Sequence, residues 1–211
     1  MSWYYGFRPY VPVARRRAQA AAYAVKLAKK EKRTLAPIQL EGRKIADSFW
    51  GKAWCENLES YSDFANRLPR GRTYVRNGSV LDLQIERGKV KAIVSGSEIY
   101  RVTIDIKTLP AALWSRIKND CARSIDSLID LLQARFDQGI MERLTQQDGG
   151  LFPRPKEITM DCSCPDWAGM CKHVAAVLYG VGARLDAAPE LLFTLRDVDH
   201  RPAPGGAARR I

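Results

Sequence analysis

The stretch Cys162-Ser163-Cys164-Pro165-Asp166-Trp167-Ala168-Gly169-Met170-Cys171-Lys172-His173 places three cysteines and a histidine within twelve residues. Thiolate sulfur and imidazole nitrogen are donors that Zn2+ prefers, and four of them fill its tetrahedral shell, leaving no position for a reacting water. Such an ion is structural. Residues two apart on an extended segment point the same way, so Cys162 and Cys164 present both sulfurs to one point. The six residues that follow let the chain turn back to deliver Cys171 and His173, with Pro165 fixing one backbone angle and Gly169 permitting unusual ones. Beyond the fourth donor, Val174, Val177, Leu178, Val181 and Leu185 recur at helical spacing. A disulfide between Cys162 and Cys164 would close a very short, strained ring, and nothing in the chain signals secretion. Cysteines buried as small hydrophobes do not gather around a histidine in this way. One structural zinc ion on Cys162, Cys164, Cys171 and His173 is therefore expected.

A pair of cysteines one residue apart, a short gap, then Cys-x-His running into an apolar helix resembles the SWIM zinc finger, a zinc-bound strand, turn and helix. The four donors occupy its ligand positions without departure, and the proline after the second cysteine and Lys172 between the last two donors also match. A narrower resemblance, to bacterial SWIM zinc-finger proteins that accompany Swi/Snf-type helicases, extends over most of the chain. It includes Trp50-Gly51-Lys52-Ala53-Trp54-Cys55 and Leu68-Pro69-Arg70-Gly71-Arg72. The resemblance implies nucleic-acid or protein interaction and no enzymatic activity.

The 211 residues, 46% hydrophobic and 27% charged, are long enough to bury a core without help from metal alone. Charge is unevenly spread. Residues 1–33 hold nine Lys or Arg against one acid, a net +8, so the other 25 bases and 22 acids supply only +3 of the total +11. A nearly neutral body with a basic arm favours an anionic partner. No apolar run approaches the ~18 residues that span a bilayer, and aromatics and arginines stand where a signal peptide would be apolar. A cytoplasmic protein without membrane contact is expected, with Cys55 and Cys121 as reduced packing residues.

At the N-terminus Trp3, Tyr4, Tyr5, Phe7 and Tyr10 accompany Arg8 among prolines. This arm either stacks rings on exposed bases, with Arg8 on phosphate, or ties its rings down on the body. Ala14 to Arg33 is rich in Ala, Lys and Arg and free of Gly and Pro, which predicts a basic helix. Arg15, Arg16, Arg17, Lys26, Lys29, Lys30, Lys32 and Arg33 there either meet a polyanion or form a solvated face. Asp47 or Ser48 is expected to cap a helix bearing Trp50, Trp54, Leu58, Tyr61 and Ala65, which Pro69-Arg70-Gly71 ends. From Arg72 to Lys107 apolar residues alternate between Asn77-Gly78, Arg87-Gly88 and Ser95-Gly96-Ser97, which predicts a four-stranded antiparallel meander. On its first strand Arg72, Tyr74 and Arg76 share a side, preceded by Arg70. They suit either a phosphate backbone and a stacked base or a charged edge that discourages aggregation. Pro110 opens a long helix whose stripe Leu113, Trp114, Ile117, Cys121, Ile125, Leu128, Leu132 and Phe136 suits the open sheet face. A short helix over Ile140 to Gln146, a strand from Ile158 to Asp161 and a last helical turn after Pro189 complete the pattern. His200 onward is flexible by composition.

The fold expected is α+β, a four-stranded antiparallel sheet covered by a long helix, with a zinc knuckle and a basic N-terminal arm. Its divisions are residues 1–37 for the arm, 38–150 for the core, 151–199 for the finger and following helix, and 200–211 for the tail. Neither histidine is free for acid-base work, and no phosphate loop or nucleophile elbow occurs, which makes an enzyme the weaker class. A zinc-stabilised nucleic-acid-binding accessory protein is expected, DNA ahead of RNA, beside a Swi/Snf-type helicase and with no small-molecule substrate. The alternative is an adaptor that docks on a partner ATPase or an RNA-bound assembly through finger and arm.

Overall fold

The computed structural model describes residues 12–61, 66–121, 138–166 and 168–199. Three strands, β1 (Val80–Glu86), β2 (Lys89–Ser95) and β3 (Ile99–Ile106), form an antiparallel meander. Between β2 and β3 the faces alternate: Val90, Ala92 and Val94 on β2 face Ile104, Val102 and Tyr100 on β3, all buried, while Lys91, Arg101 and Asp105 are exposed; β1 departs from this, being buried from Val80 through Leu83. The two-residue turn between β1 and β2 closes through Gly88, whose φ of +63° a side chain would strain. The fourth strand, β4 (Ile158–Cys162), joins β3 antiparallel, giving the order β1-β2-β3-β4.

The four strands are those expected in number and sense, but not in origin. Arg72 to Arg76 is not a strand: α3 spans Leu68–Arg76, with Pro69 in its first turn, where no amide hydrogen is needed. Asn77-Gly78 ends this helix, Gly78 taking φ +67°, and does not turn a hairpin. Leu68, Gly71 and Val75 are its buried face. That helical spacing is hidden because its middle member is a glycine. Likewise Pro69-Arg70-Gly71 opens a helix; it does not close the preceding one. The preceding helix, α2 (Phe49–Glu59), is capped as expected by Ser48, whose Oγ accepts from the Gly51 amide at 3.3 Å, and it stops before Tyr61.

The long helix that covers the sheet is α6 (Lys172–Ala187), which follows the cysteines and packs on all four strands and on α2 and α3. Every residue from His173 to Gly182 is buried, so this stretch has no solvent face. Glycines make this possible. A Cβ on Gly71 would stand 2.4 Å from Ala175 Cβ, and one on Gly51 2.7 Å from the Gly182 carbonyl oxygen, so α3 and α2 pack on α6 backbone to backbone. Trp54 fills the space beside them and donates from Nε1 to the Leu178 carbonyl at 2.9 Å. The helix opened by Pro110 is described over Ala111–Cys121 as α4, where Ile117 is buried and Trp114 lies 5.8 Å from Phe193. The rest of its expected stripe, Ile125 to Phe136, lies outside the described residues. Two short helices, α5 (Gln138–Thr145) and α7 (Leu191–Leu195), sit where the sequence pattern predicts them.

The basic helix α1 spans Val13–Glu31 and buries only Ala20 and Leu27 among its described side chains. Its connector is pinned to β1 by Asp82, which is buried. Arg33 donates to both carboxylate oxygens at 3.2 and 2.5 Å, the Ala36 amide at 2.8 Å and the Gln84 amide at 2.9 Å. Burial alone would raise this carboxyl, yet the guanidinium and the two amides hold it below the ordinary carboxylate range.

Candidate metal centre

The strand, the turn and the helix each supply donors to one point. Cys162 is the last residue of β4, paired with Val102. Ser163 then fastens the turn to β3, its amide donating to the Arg101 carbonyl and its hydroxyl accepting from the Arg101 amide, both at 3.0 Å. Cys164 follows at the outer bend. Across the turn, Asp166 accepts from the Ala168 amide at 3.2 Å and from Arg67, at the entrance to α3, at 3.3 Å. Cys171 is the N-cap of α6, its Sγ accepting from the Val174 amide at 3.5 Å, and His173 is the second residue of that helix.

The donor atoms of Cys162, Cys164, Cys171 and His173 all lie within 4.8 Å of one another, and His173 Nδ1 is 3.8 Å from both Cys162 Sγ and Cys171 Sγ. A tetrahedral zinc with sulfur at about 2.3 Å and nitrogen at about 2.0–2.1 Å separates sulfur from nitrogen by about 3.6 Å. The donor set and its spacing thus fit one structural Zn2+, with a closed shell of three sulfurs and a nitrogen. Hydrogen bonding from Cys162 lowers the Cys171 thiol, and the same contact pushes the Cys162 thiol up. Three sulfurs this close cannot all be charged without a cation between them. The positive end of α6 also favours a thiolate at its cap.

The histidine is oriented by rings. Tyr100 stacks on the imidazole with centroids 4.1 Å apart, and Tyr74 meets it edge-on at 5.4 Å. Nε2 is buried without a hydrogen-bond partner among the described residues, against Gly96, where an added Cβ would lie 3.1 Å away. Sequence reasoning missed Tyr100, Ser163, Arg67 and Asp166 as supports of the centre. Only the alternation along β3 could have placed Tyr100 on the buried face.

The residues expected to meet nucleic acid divide into groups. Arg15, Lys26, Lys29 and Lys30 are exposed on α1 with no ion-pair partner among the described residues. At 100° per residue they fall on an arc of about 100° opposite Ala20, Ala24 and Leu27. Arg70 and Arg76 are also exposed. Arg17, Tyr74 and Arg76 converge on one groove between α1 and α3. Three arginines are already engaged within the fold: Arg17 donates to Asn77 Oδ1 at 3.4 Å, Arg33 binds Asp82 and Glu31, and Arg72 pairs with Glu59 and donates to Tyr179 Oη at 3.0 Å. Because α3 is helical, Arg72 does not flank Tyr74 and Arg76 on a strand face; it points back to α2 and α6. Arg8 lies outside the described residues, as does the tail from His200. Arg16 is on α1, but its side chain is not among those described. Cys55 is half-buried, and burial pushes its thiol up to about 12, as suits a packing residue. No helix among the described residues is long and apolar enough to cross a membrane.

The protein-family model of the SWIM zinc finger matches residues 146–181, a span holding all four donors. An uncharacterized protein of Mycobacterium tuberculosis, Rv2102, is 34% identical over 155 residues, which covers 72% of this chain and 56% of that protein. The chain thus spans little more than half the length of the curated relative it matches. No solved structure matches.

Proposed function

Starting from a chain whose residues 146–181 form a SWIM zinc finger, we propose a zinc-stabilised nucleic-acid-binding accessory protein that works beside a Swi/Snf-type helicase, on DNA in preference to RNA. The observation that carries the reading is the outward stripe Arg15, Lys26, Lys29 and Lys30 on a helix that buries only Ala20 and Leu27 among its described side chains. A helix so lightly anchored, with no carboxylate among the described residues set against this stripe, is suited to phosphate contact. The metal centre supports this indirectly. It holds the start of α6, on which α3 packs, and α3 presents Arg70 and Arg76 on the outside. The helicase partner rests on the family resemblance alone. A reducing, cytoplasmic setting is part of the proposal, since three thiolate donors must stay unoxidised.

Fluorescence anisotropy on single- and double-stranded DNA and RNA between about 50 and 200 mM salt tests the reading. Affinity falling steeply with salt on nucleic acid supports it, and no binding, or binding indifferent to salt, contradicts it. Capture of a Swi/Snf-type ATPase on the immobilised full chain tests the partner.

A further inference from the structure

A groove of about 870 Å³ separates α1 from the body, within the range, about 300–1,000 Å³, of pockets that bury small ligands. From α1 the short side chains Ala20, Ala21, Ala24 and Ala28 line it, and from the body Ile38 and Leu81. Its lining is unequal in charge. Arg17 and Arg76 are exposed on it, Arg33 lines it while pinned to Asp82, and no acidic residue among the described ones lines it. The Arg17 guanidinium reaches across to Asn77 Oδ1 at 3.4 Å, so α1 and the end of α3 meet at this point. Tyr74 lines the groove too, its ring fixed edge-on against His173 of the metal centre. An apolar slot with an aromatic wall and a cationic rim matches a molecule that is flat and apolar at one end and singly or doubly anionic at the other.

Resting on the nucleic-acid reading above, we infer that this groove receives an unstacked base of a single strand, with its flanking phosphates on Arg17 and Arg76. A base within a duplex presents only its edge and cannot enter a slot of this kind, whereas a strand already open offers its π-face at little cost. The outer stripe of α1 lies on the far face of that helix from the groove and attracts phosphate of single and double strands alike. The site therefore gives the protein a preference for single over double strands that the stripe alone would not confer.

The test uses the full zinc-loaded chain, a labelled twelve-residue oligothymidylate and a duplex of the same length. Two variants are compared with the parent: Arg17→Ala with Arg76→Ala, which removes the rim, and Ala24→Phe, which fills the groove and leaves charge untouched. Circular dichroism and zinc content check that both fold. The expected result is at least a tenfold loss of single-strand affinity in Ala24→Phe with duplex affinity and salt slope unchanged, and a loss on both ligands in the arginine variant. If Ala24→Phe binds the single strand as the parent does, or loses single strand and duplex equally, the groove is not a base site and the wider reading stands. Displacement of the oligonucleotide by equimolar free thymidine monophosphate overturns the inference in favour of a mononucleotide site. If the parent binds neither ligand, this inference and the nucleic-acid reading fall together.

Discussion

The Tyr100 ring stacks on the His173 imidazole with centroids 4.1 Å apart and planes 23° from parallel. One is a core residue of β3 and the other a donor to the metal centre, so the sheet itself aims the ligand. His173 has no hydrogen bond at Nε2 among the described residues, which leaves packing to set its orientation. Replacing Tyr100 with Leu should weaken zinc binding by about 10- to 100-fold, the usual effect of removing a support behind a ligand. Chelator competition measures this, and unchanged affinity would show that the ring only fills space.

Removing the metal should act locally. The turn from Cys162 to Cys171 is held by the donors and by a few hydrogen bonds to Arg101 and Arg67, whereas α6 from Ala175 to Leu185 packs into the core. Hydrogen exchange on chelated protein should rise first over residues 162–174, with protection persisting over 176–185. Simultaneous loss across both would mean that the ion holds the whole fold.

Gly71→Ala tests the helical reading of Leu68–Arg76. Alanine gains about 1 kcal/mol in helix propensity. Its methyl would stand 2.4 Å from Ala175 Cβ, backbone against backbone, and overpacking of this kind costs about 1–3 kcal/mol or more. Steric cost should win, and denaturant titration should find the variant less stable. A more stable variant would place α3 away from α6.

Asp82, Glu157 and Asp186 are all held below the ordinary carboxylate range: burial opposes the charge in each, and hydrogen bonds from Arg33, from Arg154 and Arg196, and from Ser48 and Asp47 outweigh it. A lowered folded-state value means stability that is complete above the unfolded-state value, near pH ~4, and lost as pH falls through the folded one. Acid should therefore unfold the chain below about pH 4. Asp82→Asn should cost about 1–2 kcal/mol at neutral pH, limited because Arg33 is partly open to solvent, and should flatten that acid limb. An unaltered limb would mean that Asp82 plays no part in acid unfolding.

The outward face of α1 has its own test. Changing Arg15, Lys26, Lys29 and Lys30 to Gln should lower the slope of log affinity against log salt by about 3.6 on duplex DNA, about 0.9 for each of the four phosphates no longer neutralised. An unchanged slope would make the stripe a solvated face.

The metal centre is legible in the sequence because its donors lie within twelve residues and their chemistry is restrictive. The three strands from Val80 to Ile106 are legible from alternation taken together with the turns at Arg87-Gly88 and Ser95-Gly96-Ser97. Sequence reading fails at Leu68–Arg76, where Thr73, Tyr74 and Val75 favour a strand locally but Pro69 and the fit of Gly71 on Ala175 impose a helix. It also underrates α6: the five residues of its apparent stripe are buried, but so are Ala175, Ala176, Gly180 and Gly182, whose small size signals close packing. Nor can a local pattern show that β4, beyond residue 150, completes the sheet at β3, since that pairing joins Val102 to Cys162 across the whole of α4 and α5.

The metal and thiol content of the purified chain, read by native mass spectrometry with thiol counting after unfolding, bears on the zinc centre without intermediary. One zinc per chain, no disulfide among Cys162, Cys164 and Cys171, and loss of the ion on Cys164→Ser are the expected findings. A metal-free chain, or sulfurs joined to one another, would refute the centre and the zinc-held turn from Cys162 to Cys171 built on it.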